Sequence, residues 1–211
     1  EYVDVARRAA DFVLSAMVTG EDVLLHAYKD RPGSVPGFLD DYASMAGGLL
    51  ELYQSSQEPR YLTSALHLVD QMLGLFLDES GGGFFQTGTG GEGLVVRVKP
   101  VYDGALPSGN ALAAAVLVLA ARLTERAELD AVLRRLFTSV APLVAQAPGQ
   151  FVSLLMAHRL FAGESRVTVI AGWRGTDDTD ALLRAAAAVY APDNVVVLAP
   201  SGEANDVVSA T

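Results

Sequence analysis

A chain of 211 residues, 51% apolar and 19% charged, has the composition of a folded protein with ample core, which excludes a disordered polypeptide. Fifteen Lys and Arg stand against 25 Asp and Glu, a net charge of −10, and no basic stripe interrupts the acidic average. Nucleic acid is therefore excluded as a partner, because that affinity rests on clustered positive charge. With no cysteine, the chain can form no disulfide, thiolate metal site or Cys nucleophile of its own, and the cytoplasm is the expected compartment.

The chain opens on Glu1-Tyr2-Val3, already in a helical pattern and with neither initiator Met nor signal peptide, as expected of a piece of a longer protein. Val5, Ala9, Phe12, Val13 and Ala16 recur on one helical face. Residues 20–37 read as loop, with Val23-Leu24-Leu25 as a short strand. Asp41 is placed to cap a helix from Tyr42 to about Ser55, where a carboxylate meets free N–H groups and the positive helix end. A second helix follows over about 61–77, closed by Gly81-Gly82-Gly83, and residues 84–105 read as irregular or as short strands. Ser108 or Asn110 starts a third helix, to about Leu123, with further helices near 127–145 and 150–162. The longest apolar run, Ala111 to Ala121, falls short of the roughly 20 residues a membrane span needs, so no membrane association is expected. Arg166–Ala171 and Val195–Leu198 read as strands around a helix from Asp177 to Tyr190, a βαβ unit with parallel strands.

The helices repeat in two registers. Tyr2 and Asp11 recur as Tyr61 and Asp70, a shift of 61 − 2 = 59, and Asp41-Tyr42-Ala43 lies over Asn110-Ala111-Leu112, a shift of 110 − 41 = 69. One helix type is apolar all round and must be buried; the other is amphipathic and can cover it. Alternating inner and outer helices make a mainly α fold, a partial α/α toroid with a C-terminal βαβ tail. The expected organisation is 1–163 for the toroid portion and 164–211 for the tail. Parallel inner helices put their N-termini, and so Asp41 and Asn110, at one mouth.

Four blocks carry a resemblance: Pro36-Gly37-Phe38-Leu39-Asp40-Asp41-Tyr42-Ala43, Gly48-Leu49-Leu50-Glu51-Leu52-Tyr53, Gly81-Gly82-Gly83-Phe84-Phe85-Gln86-Thr87 and Asp103-Gly104-Ala105-Leu106-Pro107-Ser108-Gly109-Asn110. In these the chain resembles the C-terminal region of the thioredoxin-domain-containing YyaL / spermatogenesis-associated protein 20 family. The resemblance implies a toroid similar to those of N-acylglucosamine 2-epimerase and the six-hairpin glycosidases, preceded by a thioredoxin-like domain that would be its partner. That domain, with its CxxC motif, is not in this sequence, and the family supplies no established catalytic residues.

The rim carboxylates Asp41 and Asp103 are the candidate catalytic pair, since sugar-processing toroids use acids on either side of a glycosidic bond, about 5–5.5 Å apart for retention and about 6.5–9.5 Å for inversion. Their competing roles are helix cap and turn residue. Asp40, Phe38, Tyr42, Tyr102, Ser108, Asn110, Arg97 and Lys99 are candidate substrate-binding residues: rings to stack on a pyranose, polar groups for hydroxyls, cations for an anionic substituent. Packing, capping and surface charge are their alternatives. A histidine would suit the base of an epimerase, but His26, His67 and His158 lie far apart without HxxxH or HExxH spacing, so neither metal nor cofactor is expected. Gly172-Trp173-Arg174-Gly175 lacks a nucleotide fingerprint and reads as a surface turn. The expected function is carbohydrate binding or processing, epimerase/isomerase-like or hydrolase-like, on a sugar-like small molecule. The alternative is a non-catalytic scaffold that docks the thioredoxin-like domain.

Overall fold

In the computed structural model, which describes residues 1–89, 96–124, 126–189 and 191–199, the elements run α1 (Tyr2–Ala16), β1 (Tyr28–Lys29), β2 (Arg31–Pro32), α2 (Leu39–Ser56), α3 (Pro59–Phe76), α4 (Gly109–Thr124), α5 (Ala127–Gln146), α6 (Val152–Ala162), β3 (Arg166–Ala171), α7 (Asp177–Ala187) and β4 (Asn194–Ala199). The last residues of the expected tail, 200–211, and the part of the irregular segment at 90–95 lie outside the described residues.

Helices α2 and α4 are the inner pair. Helix α4 is Ala- and Leu-rich on every side and buries eleven residues from Gly109 to Thr124. Helix α2 buries Leu39, Tyr42, Ala43, Ala46, Leu49, Leu50, Leu52 and Tyr53. The two run parallel in the register of the repeat. A Cβ on Gly47 would stand 3.2 Å from the Val116 Cγ2, and 116 − 47 = 69. At the very start of both helices, a Cβ on Gly109 would stand 3.0 Å from Leu39 Cδ2. Small residues at both points let the helix backbones approach closely. Helices α1 and α3 flank α2, and α5 and α6 flank α4.

The outer register holds in sequence but not in burial. Tyr61 on α3 is 0% exposed, whereas its counterpart Tyr2 on α1 is 90% exposed. The reason is position: α3 packs on α2, while α1 leaves Tyr2, Val5 and Phe12 exposed, the Phe12 ring edge-on to Tyr28 at 5.0 Å.

Helix α2 begins at Leu39, earlier than the sequence suggested, because Asp41 works from the third helical position. Its Oδ2 accepts the Phe38 N–H at 2.8 Å, which fixes Phe38 as the extended residue before the helix. The strand expected at Val23–Leu25 is reduced to single bridges, Leu24 to Val18 and Leu25 to Pro36, and the two-residue β1–β2 hairpin forms inside the loop. There are few backbone partners for a longer strand, since Tyr42 Oη takes the Leu24 N–H at 3.1 Å.

Strands β3 and β4 pair in parallel, Val167 with Val195 and Val169 with Val197, with α7 as the crossover. Val195 and Val197 are buried in the helical core. On the other edge of β4, Gln54 of α2 and Gln57 at its C-cap bond to the strand backbone.

Candidate active site at the shared helix rim

A helix start leaves N–H groups without partners, and at the α2/α4 rim the segment Phe84-Phe85-Gln86 supplies them. Gln86 O accepts the Leu39 N–H at 3.0 Å, and Gln86 Nε2 donates to Asp40 Oδ1 at 2.7 Å. Asn110 Oδ1 accepts the Phe84 N–H at 2.8 Å, while its Nδ2 donates to Phe84 O and Pro100 O, both at 2.9 Å. The same three-residue segment therefore bridges the starts of both inner helices.

Phe38, Asp40 and Asp41 form one cluster, joined by a histidine that the sequence offered as a base and set aside for lack of a motif. His26 Nδ1 lies 2.7 Å from Asp41 Oδ2, and the imidazole meets the Phe38 ring edge-on at 5.0 Å. The Asp41 carboxylate beside it raises the His26 pKa above the ordinary histidine value. His26 is 45% exposed and Asp41 24%, so the pair opens to solvent. A separation of fifteen residues gave no sign of the pairing; the loop that returns His26 to the helix start is closed by the Leu25–Pro36 bridge. Tyr42, although adjacent in sequence, points inward: it is fully buried, edge-on to Phe76 at 5.3 Å.

Asp103, Ser108 and Tyr102 form a second cluster around the starts of α4 and α6. Asp103 Oδ1 accepts the Ser108 N–H at 3.1 Å and its Oδ2 the Ser153 N–H at 2.7 Å. Ser108 Oγ accepts the Ala111 N–H at 3.2 Å, an N-cap bond, and donates to Val101 O. The half-exposed Tyr102 stacks on Phe151 with centroids 4.8 Å apart. Gly109 and Gln86, whose Oε1 lies 3.2 Å from the position of a Gly109 Cβ, connect the two clusters.

Arg97 and Lys99 gather on Phe85 instead. The Arg97 guanidinium lies 4.2 Å from the ring centroid and donates to Leu75 O and Thr87 O. Lys99 Nζ donates to Asp78 Oδ2 at 2.6 Å and Gly82 O at 3.1 Å. Of the other histidines, His67 bonds Asp22 and His158 meets the edge of Phe137 at 4.9 Å. No helix among the described residues is long and apolar enough to cross a membrane.

Alternating inner and outer helices with parallel inner helices sharing a rim define a partial α/α toroid. A solved D-mannose isomerase has this fold, with a TM-score of 0.51 at 20% identity over 67% of this chain and 39% of that one. No family model matches the chain. Over 164 residues, 77% of its length, it is 35% identical to spermatogenesis-associated protein 20 of Homo sapiens and to that of Rattus norvegicus, and 34% identical to that of Mus musculus. The chain is a homologue of spermatogenesis-associated protein 20, and spans 21% of the length of these relatives.

Proposed function

We propose that the α2/α4 rim binds a sugar-like small molecule and moves a proton on it, as an isomerase or epimerase does. The His26–Asp41 contact at 2.7 Å carries this reading. In the neutral ring, Nδ1–H donates to Asp41 and the Nε2 lone pair is free. That lone pair takes the proton from the carbon beside the carbonyl of an open-chain sugar, and the electron pair passes into an enediolate. Return of the proton to the neighbouring carbon, with the hydroxyl proton of the enediolate passing from the one oxygen to the other, gives the isomer; return to the other face of the same carbon gives the epimer. Asp41 is then a positioning residue that fixes the ring tautomer. Asp40 and Gln86 offer hydrogen bonds to hydroxyls, and Phe38 and Tyr102 offer ring surface. Arg97 on Phe85 offers positive charge for an anionic substituent, whereas Lys99 is already paired with Asp78. The fold match to an enzyme named for mannose isomerisation agrees in kind. A hydrolase reading is less supported, because both oxygens of Asp103 already accept backbone N–H groups as a cap. In this proposal residues 1–163 are the toroid portion, 164–211 the tail, and a thioredoxin-like domain elsewhere in a longer cytoplasmic protein is the partner.

A second reading, a scaffold that docks that domain without chemistry, is favoured by the exposed Tyr2 and Val5 of α1. The two are separated by incubating the chain with neutral, amino and uronic sugars in D2O and following deuterium entry beside the carbonyl. Exchange with one sugar class, lost in His26→Gln and slowed about a hundredfold in Asp41→Asn, supports the isomerase reading. No exchange with any class, in a chain that melts cooperatively, sinks it in favour of the scaffold.

A further inference from the structure

Strand β4 is closed along one edge by side chains. Val196 N–H donates to Gln54 Oε1 at 2.7 Å, and Leu198 N–H donates to Gln57 Oε1 at 2.9 Å. Val196 O accepts from both amides, Gln54 Nε2 and Gln57 Nε2, at 3.1 Å each. The two glutamines thus stand in for a neighbouring strand and hold the end of α2 beside β4. Helix α7 crosses back over the sheet, and between it and α2 lies a cleft of about 530 Å³, open to solvent. That volume is within the roughly 300–1,000 Å³ of small-molecule sites.

One wall is the Glu51, Gln54 and Ser55 face of α2; the other is the Asp180, Leu183, Arg184 and Ala187 face of α7, each set at helical spacings of three and four. Asn194 and Val196, alternate residues of β4, form the floor, and Arg174 enters from the turn before α7. The two ends differ in charge. Gln54 meets Val196 and Gln57 meets Leu198, so the end of α2 runs in the direction of β4, and Glu51, a turn earlier, lies level with Asn194 at the strand start. As a crossover helix, α7 runs the opposite way. Its C-terminal end, with its partial negative charge, therefore lies toward Glu51, and Arg174 lies at the far end with Arg184 between. Asp180 is tied into the turn, its Oδ1 accepting the Gly175 N–H at 3.1 Å. Among the described residues Glu51, Arg174 and Arg184 are in no ion pair and the Ser55 hydroxyl is in no hydrogen bond. Asn194 uses its oxygen on the Thr168 hydroxyl at 2.9 Å, which leaves its Nδ2 to donate.

We infer that this cleft binds a short peptide with free ends, its ammonium at Glu51 and its carboxylate at Arg174. The spacing sets the length. From Asp180 to Ala187 the α7 wall spans about 10 Å, and an extended chain gains about 3.3–3.6 Å per residue. Three residues reach from one end to the other; a single amino acid does not. The Ser55 hydroxyl and the Asn194 Nδ2 offer partners to the peptide groups between, and Leu183, Ala187 and Val196 leave room for small apolar side chains. Separated charges of both signs also select against other ligands: Glu51 repels a sugar phosphate, and the two arginines repel a polyamine. Glu51 stands ten residues beyond Asp41, about 15 Å along α2. The cleft is thus a second site, independent of any chemistry at the rim.

Trp173, the single tryptophan of the chain, adjoins Arg174 and is 50% exposed, so its fluorescence reports occupancy of the cleft. Trialanine titrated into the 211-residue chain gives a saturable change, and calorimetry gives the same affinity. N-acetyl-trialanine and trialanine amide each bind about tenfold more weakly, through loss of one charged end. Glu51→Gln weakens trialanine by the same factor and abolishes the preference for a free amine; Arg174→Gln, followed by calorimetry, abolishes the preference for a free carboxylate. Both residues are exposed, and unchanged melting temperatures show that the variants fold. In the NMR spectrum trialanine shifts the amides of Asn194 and Val196. No saturable binding at millimolar peptide overturns the proposal, as does binding indifferent to both end groups. It is overturned equally by end-group preferences that survive Glu51→Gln and Arg174→Gln. Shifts confined to Leu39 and Asp41 also overturn it, by placing the peptide at the rim.

Discussion

Asn110 pairs with Phe84 as one strand residue pairs with another: its side-chain oxygen accepts the Phe84 N–H and its side-chain nitrogen donates to the Phe84 carbonyl. The side chain sits on the second residue of α4 and is fully buried, with a third bond to Pro100 O. Asn110→Ala leaves the N–H and the carbonyl of Phe84 without partners in the core, a loss of about 2–4 kcal/mol, while the exposed Pro100 can turn its carbonyl to water. Urea unfolding should show a lower midpoint at unchanged slope. Asn110→Asp should be worse, because a carboxylate cannot donate to the two carbonyls.

The His26–Asp41 pair gives a pH dependence of defined sign. The folded-state pKa of His26 is raised, chiefly by its hydrogen bond to Asp41. Its stabilisation is therefore complete below the ordinary histidine value, about 6.5, and is lost as pH rises through the folded value. The pair is open to solvent, so the contribution is under about 1 kcal/mol. NMR titration of the His26 ring should give a value above that of an exposed histidine, and Asp41→Asn should bring it down. An unchanged value in Asp41→Asn would remove the pairing.

The Lys99–Asp78 pair acts at the opposite end of the scale. Lys99 first, then the Gly81 N–H and Ser80, hold the Asp78 carboxyl far below the usual carboxylate range. A depressed folded value stabilises above the unfolded pKa and is lost only as pH falls through the folded one. Lys99→Met should therefore lower the melting temperature at neutral pH, and the difference from wild type should fade in strong acid.

The glutamine contacts predict a pattern of exchange. In Gln54→Ala/Gln57→Ala the amides of Val196 and Leu198 lose their acceptors. Their hydrogen exchange should quicken well before that of Val195 and Val197, whose N–H groups face β3. Uniform quickening along β4 would mean that the tail had detached as a whole.

The helical plan was legible because burial imposes periodicity. The 69-residue register, read from Asp41 and Asn110, reappears as the Gly47–Val116 contact. The ends of α4 and the two parallel strands followed from the Ser108 cap and the β-branched runs. What was not legible was long-range pairing of polar side chains. Nothing at positions 26 and 41 announces a contact, and nothing at Gln54 or Gln57 distinguishes strand-mimicking amides from surface ones. Asp41 illustrates the limit within a single turn. Its capping chemistry was evident, but its place at the third helical position depended on Phe38 being extended, which the tertiary contact of Leu39 N–H with Gln86 O stabilises. Tyr42 and Tyr102 look alike as candidate ring platforms; only packing sends one into the core and leaves the other half in solvent.

Helix α2 carries His26's partner at its first turn and Gln54 at its last, about 20 Å apart along one rod, with Gln57 at its C-cap. Any ligand that tightens the first turn suppresses fraying of the whole helix. The tail is hydrogen-bonded to the far end of that helix, so its opening equilibrium is linked to occupancy of the rim. Slowed amide exchange at Val196 on addition of a sugar would thus report binding from the other end of the molecule, with no probe placed in the site.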